Sequence, residues 1–143
     1  MIAVDTGILV YAHRGETELH AAAKDALQAL CEGDEPWALP IFCVTEFFRV
    51  VTHRRVFNPP SSVKAADDFL AAVRQAPSCR IALPGNGYLD QLRAVLARSH
   101  ARGNLLFNAQ IAALCREHGI RSVLTDDRDF ERFPDLELTY LSP

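Results

Sequence analysis

Two short apolar runs in this chain end on carboxylates. IAV (2–4) stops at Asp5, and SVLT (122–125) stops at Asp126-Asp127-Arg128-Asp129. Beside each lies a threonine, Thr6 or Thr125, able to hold a carboxylate or a metal-bound water. Runs of this length read as buried strands, and open α/β sheets bind ligands outside the carboxyl ends of their strands, near the switch in strand order. Taken singly, Asp5 also reads as a helix N-cap, and 126–129 as a turn with Asp129 capping a short helical segment at Phe130. Two such positions in one small sheet favour a shared purpose. Glu46 is the third carboxylate. It sits in FCVTEFFRVV (42–51), a segment apolar enough all round to be buried, where a carboxylate needs a partner. Its alternative place is the thinner polar side, near Arg49 and His53.

A set of hard carboxylates without His or Cys suits Mg²⁺ or Mn²⁺ rather than zinc. Such an ion neutralises a phosphodiester, generates hydroxide and stabilises the leaving oxygen of an in-line attack. Its charge also lets a net-acidic protein bind a polyanion. The chemistry these residues suggest is metal-assisted phosphoryl transfer to water.

A polar residue joins them from a different pattern. In GNLLFNAQIA (103–112), Asn108 shares a helical face with Ile111, Ala112 and Cys115 at spacing i, i+3, i+4, i+7. A polar group at the head of a buried stripe is paired, a cap, or part of a site. Asn104, after Gly103, is the better N-cap, which leaves Asn108 near the fourth helical position and facing inward.

The elements that must position these groups alternate along the chain. Strands are expected at 2–5, 37–40, 79–83, 121–125 and 138–141. Helices are expected at 6–13, 19–31, 42–54, 63–76, 88–100 and 105–118. Ala22, Ala26, Leu27 and Leu30 form the inner face of the second helix, Ser61 or Ser62 caps the fourth, and Asn58-Pro59-Pro60 closes the third. This alternation implies one α/β domain over residues 1–143, with a parallel sheet of four to five short strands covered by helices.

Composition is that of an ordinary globular protein: 143 residues, 49% hydrophobic and 23% charged. No apolar run approaches the roughly 18 residues of a membrane span. The N-terminus carries Asp5 early, with no basic leader or small-residue cleavage site, so a cytoplasmic protein without membrane contact is expected. Cys31, Cys43, Cys79 and Cys115 form no C-x-x-C and read as small buried thiols. Net charge is −3, yet thirteen of the fifteen basic residues are Arg. Arg54 and Arg55 follow one helix, and Arg98 and Arg102 precede the GNLL stretch. Guanidinium forks favour phosphate; solvated helix faces are the plainer reading of each.

Together the I-x-V-D-T strand end, Thr45-Glu46, G-N-L-x-x-N-A-x-I-A-A-L and L-T-x-D-R-D-F resemble the PIN-domain ribonucleases, and more narrowly the VapC toxins of type II toxin–antitoxin pairs. The resemblance runs from Asp5 to Phe133 in the family's order. It implies a Rossmann-like PIN fold and a Mg²⁺- or Mn²⁺-dependent endoribonuclease centre. The family's first acid falls on Asp5, its second on Glu46 and its fourth on Asp127, with Asp129 accompanying the fourth. It also implies a homodimer and a VapB-type antitoxin whose C-terminal segment lies across the active site. Arg54, Arg55, Arg98 and Arg102 become candidates for the RNA backbone, and Thr6, Thr125 and Asp126 supporting groups.

The family's third acid falls on position 108, where this chain has Asn. Asn is nearly isosteric with Asp but brings no negative charge and cannot act as a base. Three readings stand. The substitution was introduced to silence a toxin; or it is natural and leaves some activity, helped by Asp126; or catalysis is lost and the protein binds antitoxin or RNA without cleaving it. A phosphoacceptor domain is excluded: a dehalogenase-like site needs a second Asp where Gly7 stands. A receiver needs an early acidic pair and a late Lys, and the only lysines are Lys24 and Lys64.

Overall fold

Strands of three or four residues gain stability from covered faces, and every strand here but the last divides its side chains between two cores. In the computed structural model, which describes residues 1–141, the chain runs β1 (Ile2–Val4), α1 (Thr6–His13), α2 (His20–Glu32), β2 (Trp37–Pro40), α3 (Ile41–Val51) and α4 (Val63–Arg74). It continues through β3 (Cys79–Ala82), α5 (Tyr88–Ser99), α6 (Leu105–His118), β4 (Ser122–Thr125), a short 3-10 helix (Arg128–Arg132) and β5 (Glu137–Tyr140). The sheet is parallel throughout, in the order β3-β2-β1-β4-β5. Val4, Trp37, Leu39 and Leu124 pack with α1 to α4; Ala3, Ala38, Ala82 and Val123 pack with α5 and α6. The small residues on the second face match Ala109, Ala112 and Ala113 of α6, so this helix can lie close to the strands. Among the described residues, no helix is long and apolar enough to cross a membrane.

The α/β expectation holds, and its departures are local. The buried face of α2 is Ala23 and Leu27, with Ala22 exposed, because the helix is turned by about one position from the face expected. Helix α3 ends at Val51 rather than Arg54. The Thr52 hydroxyl donates to the Phe48 carbonyl, and Ser61 N–H donates to the Val51 carbonyl at 2.8 Å, drawing the chain into a loop. Arg54 and Arg55 therefore sit in that loop. Ser62 caps α4 by accepting from Ala65 N–H at 3.0 Å. Asn104 precedes α6 but has helical backbone angles, and its side chain makes no cap bond. Gly119 ends α6 in the left-handed conformation at φ +70°, a position that favours glycine.

One side-chain relay ties β2 to α2. Trp37, fully buried, donates its indole N–H to Ser78 Oγ at 3.1 Å, and Ser78 Oγ donates to the Leu30 carbonyl at 2.9 Å. Ser78→Ala leaves a buried donor unpaired and should cost about 1–3 kcal/mol in urea unfolding. A loss below about 0.5 kcal/mol, on the same scale, would show that the relay is dispensable.

Candidate active site

The order of the sheet reverses between β1 and β4, and the acidic residues gather there. Val4 pairs with Leu124, so Asp5, just past β1, stands beside Thr125, the last residue of β4. Asp5 is 7% exposed and does two things at once. One oxygen accepts from Thr6 N–H at 2.7 Å as the N-cap of α1, and the other accepts from the Thr125 hydroxyl at 2.7 Å. The cap and the site position are thus the same residue. The Thr125 oxygen in turn accepts from Asp127 N–H at 2.9 Å. Asp127, not Asp129, caps the 3-10 helix: its Oδ1 accepts from Asp129 N–H at 2.9 Å.

Asn108 faces this group from α6, where Ile111, Ala112 and Cys115 are buried with it as the spacing implied. Its amide nitrogen donates to Asp127 Oδ2 at 3.0 Å. Turned over, the amide would point its carbonyl at a carboxylate, so charge sets its orientation. Asn108 holds Asp127 where a carboxylate would repel it.

Glu46 lines the same pocket but is half-buried, with a quarter of its side chain exposed, and it pairs with Arg49 at 3.4 Å. The expectation of a buried carboxylate is corrected: α3 keeps a polar strip, and Glu46 and Arg49 lie on it one turn apart. Asp126 and Asp129 also line the pocket, whose volume is about 850 Å³. At its rim stand Phe57, Val56 and Phe107, the last two exposed. Tyr11 was not singled out from the sequence. It stands at i+4 from Gly7 and i+1 from Val10, and all three line the pocket, so the face of α1 that follows Asp5 was the available signal. Its hydroxyl is held above its ordinary value by burial and by the charges of Asp126, Asp5 and Asp127.

The four candidate arginines divide. Arg54 and Arg55 are exposed in the loop that carries Val56 and Phe57, and Arg102 is exposed just before Asn104, another pocket residue. Arg98 is elsewhere, paired with Asp135 at 2.7 Å in a different cleft.

Five carboxyl side chains meet one guanidinium in this pocket. Burial, with smaller contributions from the Asp127 and Glu46 charges, outweighs the two hydrogen bonds and lifts Asp5 from 3.8 to about 6. The donors fit a hard divalent cation in kind, being oxygens throughout. Thr6 Oγ1, buried beside the Cys43 thiol, adds a polar oxygen that completes no hydrogen bond among the described residues. In number they stop short: no three His, Cys, Asp or Glu side chains among the described residues converge closely enough to hold an ion unaided. Asn108 stands where a further carboxylate would add charge.

Oxygen donors at the reversal point of a five-stranded parallel sheet define a class, an α/β fold with an acidic strand-end site. The PIN domain model matches residues 2–136, and the chain belongs to the PIN-domain family, within it to the VapC group. The chain is similar to ribonuclease VapC43 of Mycobacterium tuberculosis, at 37% identity over 93% of this chain and 90% of that protein. In structure it is similar to M. tuberculosis VapC20, described as a sarcin-ricin loop cleaving toxin, at 21% identity and a TM-score of 0.67 over 92% and 93% of the two chains. It is also similar to a chain of Rickettsia felis VapBC2 bound to a promoter DNA fragment, at 19% identity and a TM-score of 0.67 over 98% of each.

Two measurements test the site as drawn. A carboxyl raised on folding binds its proton more tightly in the native state. Its contribution is therefore full below pH 3.8 and is lost as pH rises through about 6. In metal-free buffer the chain should lose about 3 kcal/mol through this window, and Asp5→Asn should flatten that slope in denaturant titrations at several pH values. Thr125→Val removes the hydroxyl that serves both Asp5 and Asp127. It should cost about 1–3 kcal/mol and move the midpoint of the slope further up, since Asp5 loses a bond that favours its charged form. An unchanged midpoint would remove Thr125 from the account.

Proposed function

We propose that this chain is the toxin of a VapB–VapC-type pair, a divalent-cation-dependent endoribonuclease whose strength is reduced by Asn108. The single observation that carries the reading is the junction of Asp5, Thr125 and Asp127 at the reversal of the sheet, in a chain similar to proteins named ribonucleases over nearly its whole length. Asp5 and Asp127 would hold Mg²⁺ or Mn²⁺ with help from Glu46. When bound, the ion would supply positive charge to the scissile phosphate and acidify the attacking water.

The protein's own groups prepare for that reaction. Thr125 keeps Asp5 and Asp127 in one orientation, and the Asp129 N–H fixes the other side of Asp127. Phe107 at the rim offers an apolar face on which a base can stack. Arg54, Arg55 and Arg102 lie near that rim and suit backbone phosphates. An antitoxin of the VapB type is the proposed partner, supported by the similarity to a chain of the R. felis VapBC2 complex. A homodimer and a cytoplasmic setting complete the reading and rest on kinship with the VapC group alone.

A second reading has an observation of its own. The Asn108 amide donates to Asp127 Oδ2, so it stabilises the site without metal and lowers its affinity for one. On that reading the chain binds RNA or antitoxin and does not cut. Asn108→Asp separates the two. On the first reading the variant binds Mn²⁺ about ten- to hundredfold more tightly by calorimetry, and cleaves RNA in a chelator-sensitive manner faster than the unaltered chain. No cleavage by purified Asn108→Asp protein with Mg²⁺ or Mn²⁺ would leave only the binding reading.

A further inference from the structure

The acid pocket is a poor surface for a polyanion. Its one guanidinium, Arg49, already faces Glu46, and a bound divalent ion does not reverse the excess of five carboxyl groups. Beyond Arg54, Arg55 and Arg102 near its rim, affinity for an RNA backbone has to come from elsewhere on the chain.

Four of the thirteen arginines line a second cleft, of about 760 Å³, between α5, α6 and the segment before β5. Arg98 and Arg116 both donate to Asp135 Oδ2 at 2.7 Å, so two cations share one carboxylate oxygen. Gln91 accepts from Arg116 Nε at 2.9 Å and fixes that guanidinium. Arg132 Nε donates to the Ser99 carbonyl at 3.1 Å, at the C-terminal end of α5. Arg121 is exposed and enters no side-chain hydrogen bond or ion pair among the described residues. Among the described residues Glu137 is the only other acid in the lining, so positive charge is in surplus.

This cleft shares α6 with the acid pocket and reaches the opposite end of β4, where Arg121 precedes the strand and Asp126 follows it. Ile111 lines one and Ala112 the other, as successive residues of α6. From Asn108 to Arg116 along α6 is about 12 Å at 1.5 Å per residue. From Asp127 to Arg132 along the 3-10 helix is about 10 Å at 2.0 Å per residue. Arg121 and Asp126 flank β4, about 17 Å apart at 3.3 Å per residue, so a single strand that touches both sites spans several nucleotides.

We propose that the Arg98–Arg116–Arg121–Arg132 cleft is a second phosphodiester-binding site, which holds RNA backbone several nucleotides from the acid pocket. The proposal rests on the ribonuclease reading for its ligand. A phosphate chain is favoured over an acidic peptide for a physical reason. Asp135 already fills the carboxylate position between Arg98 and Arg116, whereas regularly spaced phosphates reach Arg121 and Arg132 without displacing it.

The test is fluorescence anisotropy of a labelled single-stranded RNA of about twelve nucleotides, titrated with the full chain in EDTA at several salt concentrations. Arg121→Ala and Arg132→Ala should each raise Kd about three- to tenfold. Each should also lower the slope of log K against log salt by about 0.7, the counterion release of one single-strand phosphate contact. Arg116→Ala should do the same, and its melting temperature reports any loss of the Asp135 pair; Arg121→Ala disturbs no bond and keeps the test open if Arg116→Ala fails to fold. Lys64→Ala, on exposed α4, should change neither quantity. Unchanged slopes in the arginine variants, or an equal change in Lys64→Ala, would overturn the proposal. So would an oligoglutamate peptide that binds more tightly than the RNA and depends on Arg121. Cleavage by Asn108→Asp with normal binding by Arg121→Ala would remove this site and keep the ribonuclease. Arginine-dependent RNA binding without any cleavage by Asn108→Asp would do the reverse.

Discussion

A single hydroxyl holds the site together. Thr125 is fully buried at the end of β4; it donates to Asp5 and accepts from the backbone of Asp127. A hydroxyl is the smallest group that can do both, and valine, of the same shape, can do neither. Its position depends on the register in which Val4 meets Leu124. A slip of one residue would turn Thr125 to the other face of the sheet and separate the two acids. Asp5 serves twice because the one residue between β1 and α1 is both the neighbour of Thr125 and the N-cap of the helix.

Charge explains much of the rest. Bringing carboxylates together at low exposure is unfavourable, and Asp5 records this in a carboxyl group lifted to about 6. The chain relieves part of the strain with neutral donors: Thr6 N–H, Thr125, Asp129 N–H and the Asn108 amide. The amide differs from the others because it is a side chain that reaches Asp127 from α6. An acid at 108 would add repulsion that only a cation could offset; the amide removes repulsion and supplies a bond. The fold is therefore steadier with Asn108 than with an acid at that position.

The guanidinium groups are arranged on the same principle. Where they would neutralise the acid pocket they are scarce, and Arg49 is spent on Glu46. They collect instead across α6, around Asp135, where their charge is in surplus. A net charge of −3 hides this separation, because a sum carries no positions.

The strand ends at Asp5 and Asp127, the inward face of Asn108 with Ile111, Ala112 and Cys115, and the parallel α/β plan were all legible in the sequence. Each depends on local periodicity or on residue types at short spacing, which the chain encodes within a few positions. Other features depended on which distant segments meet. Thr52 and the return of Ser61 to Val51 stop α3 early and place Arg54 and Arg55 in a loop. The backbone of Asp129 makes Asp127 the cap. The polar strip of α3 leaves Glu46 half-buried. Arg98 and Arg102, four residues apart, belong to different surfaces because α5 ends between them and Arg98 turns to Asp135. The sequence by itself determined the family, the plan of the sheet and the acids at its strand ends. Tertiary structure decided which groups those acids bond and where the arginines gather, because hydrogen bonds and ion pairs between residues 19 to 120 positions apart depend on the packing of the sheet and not on the spacing of letters.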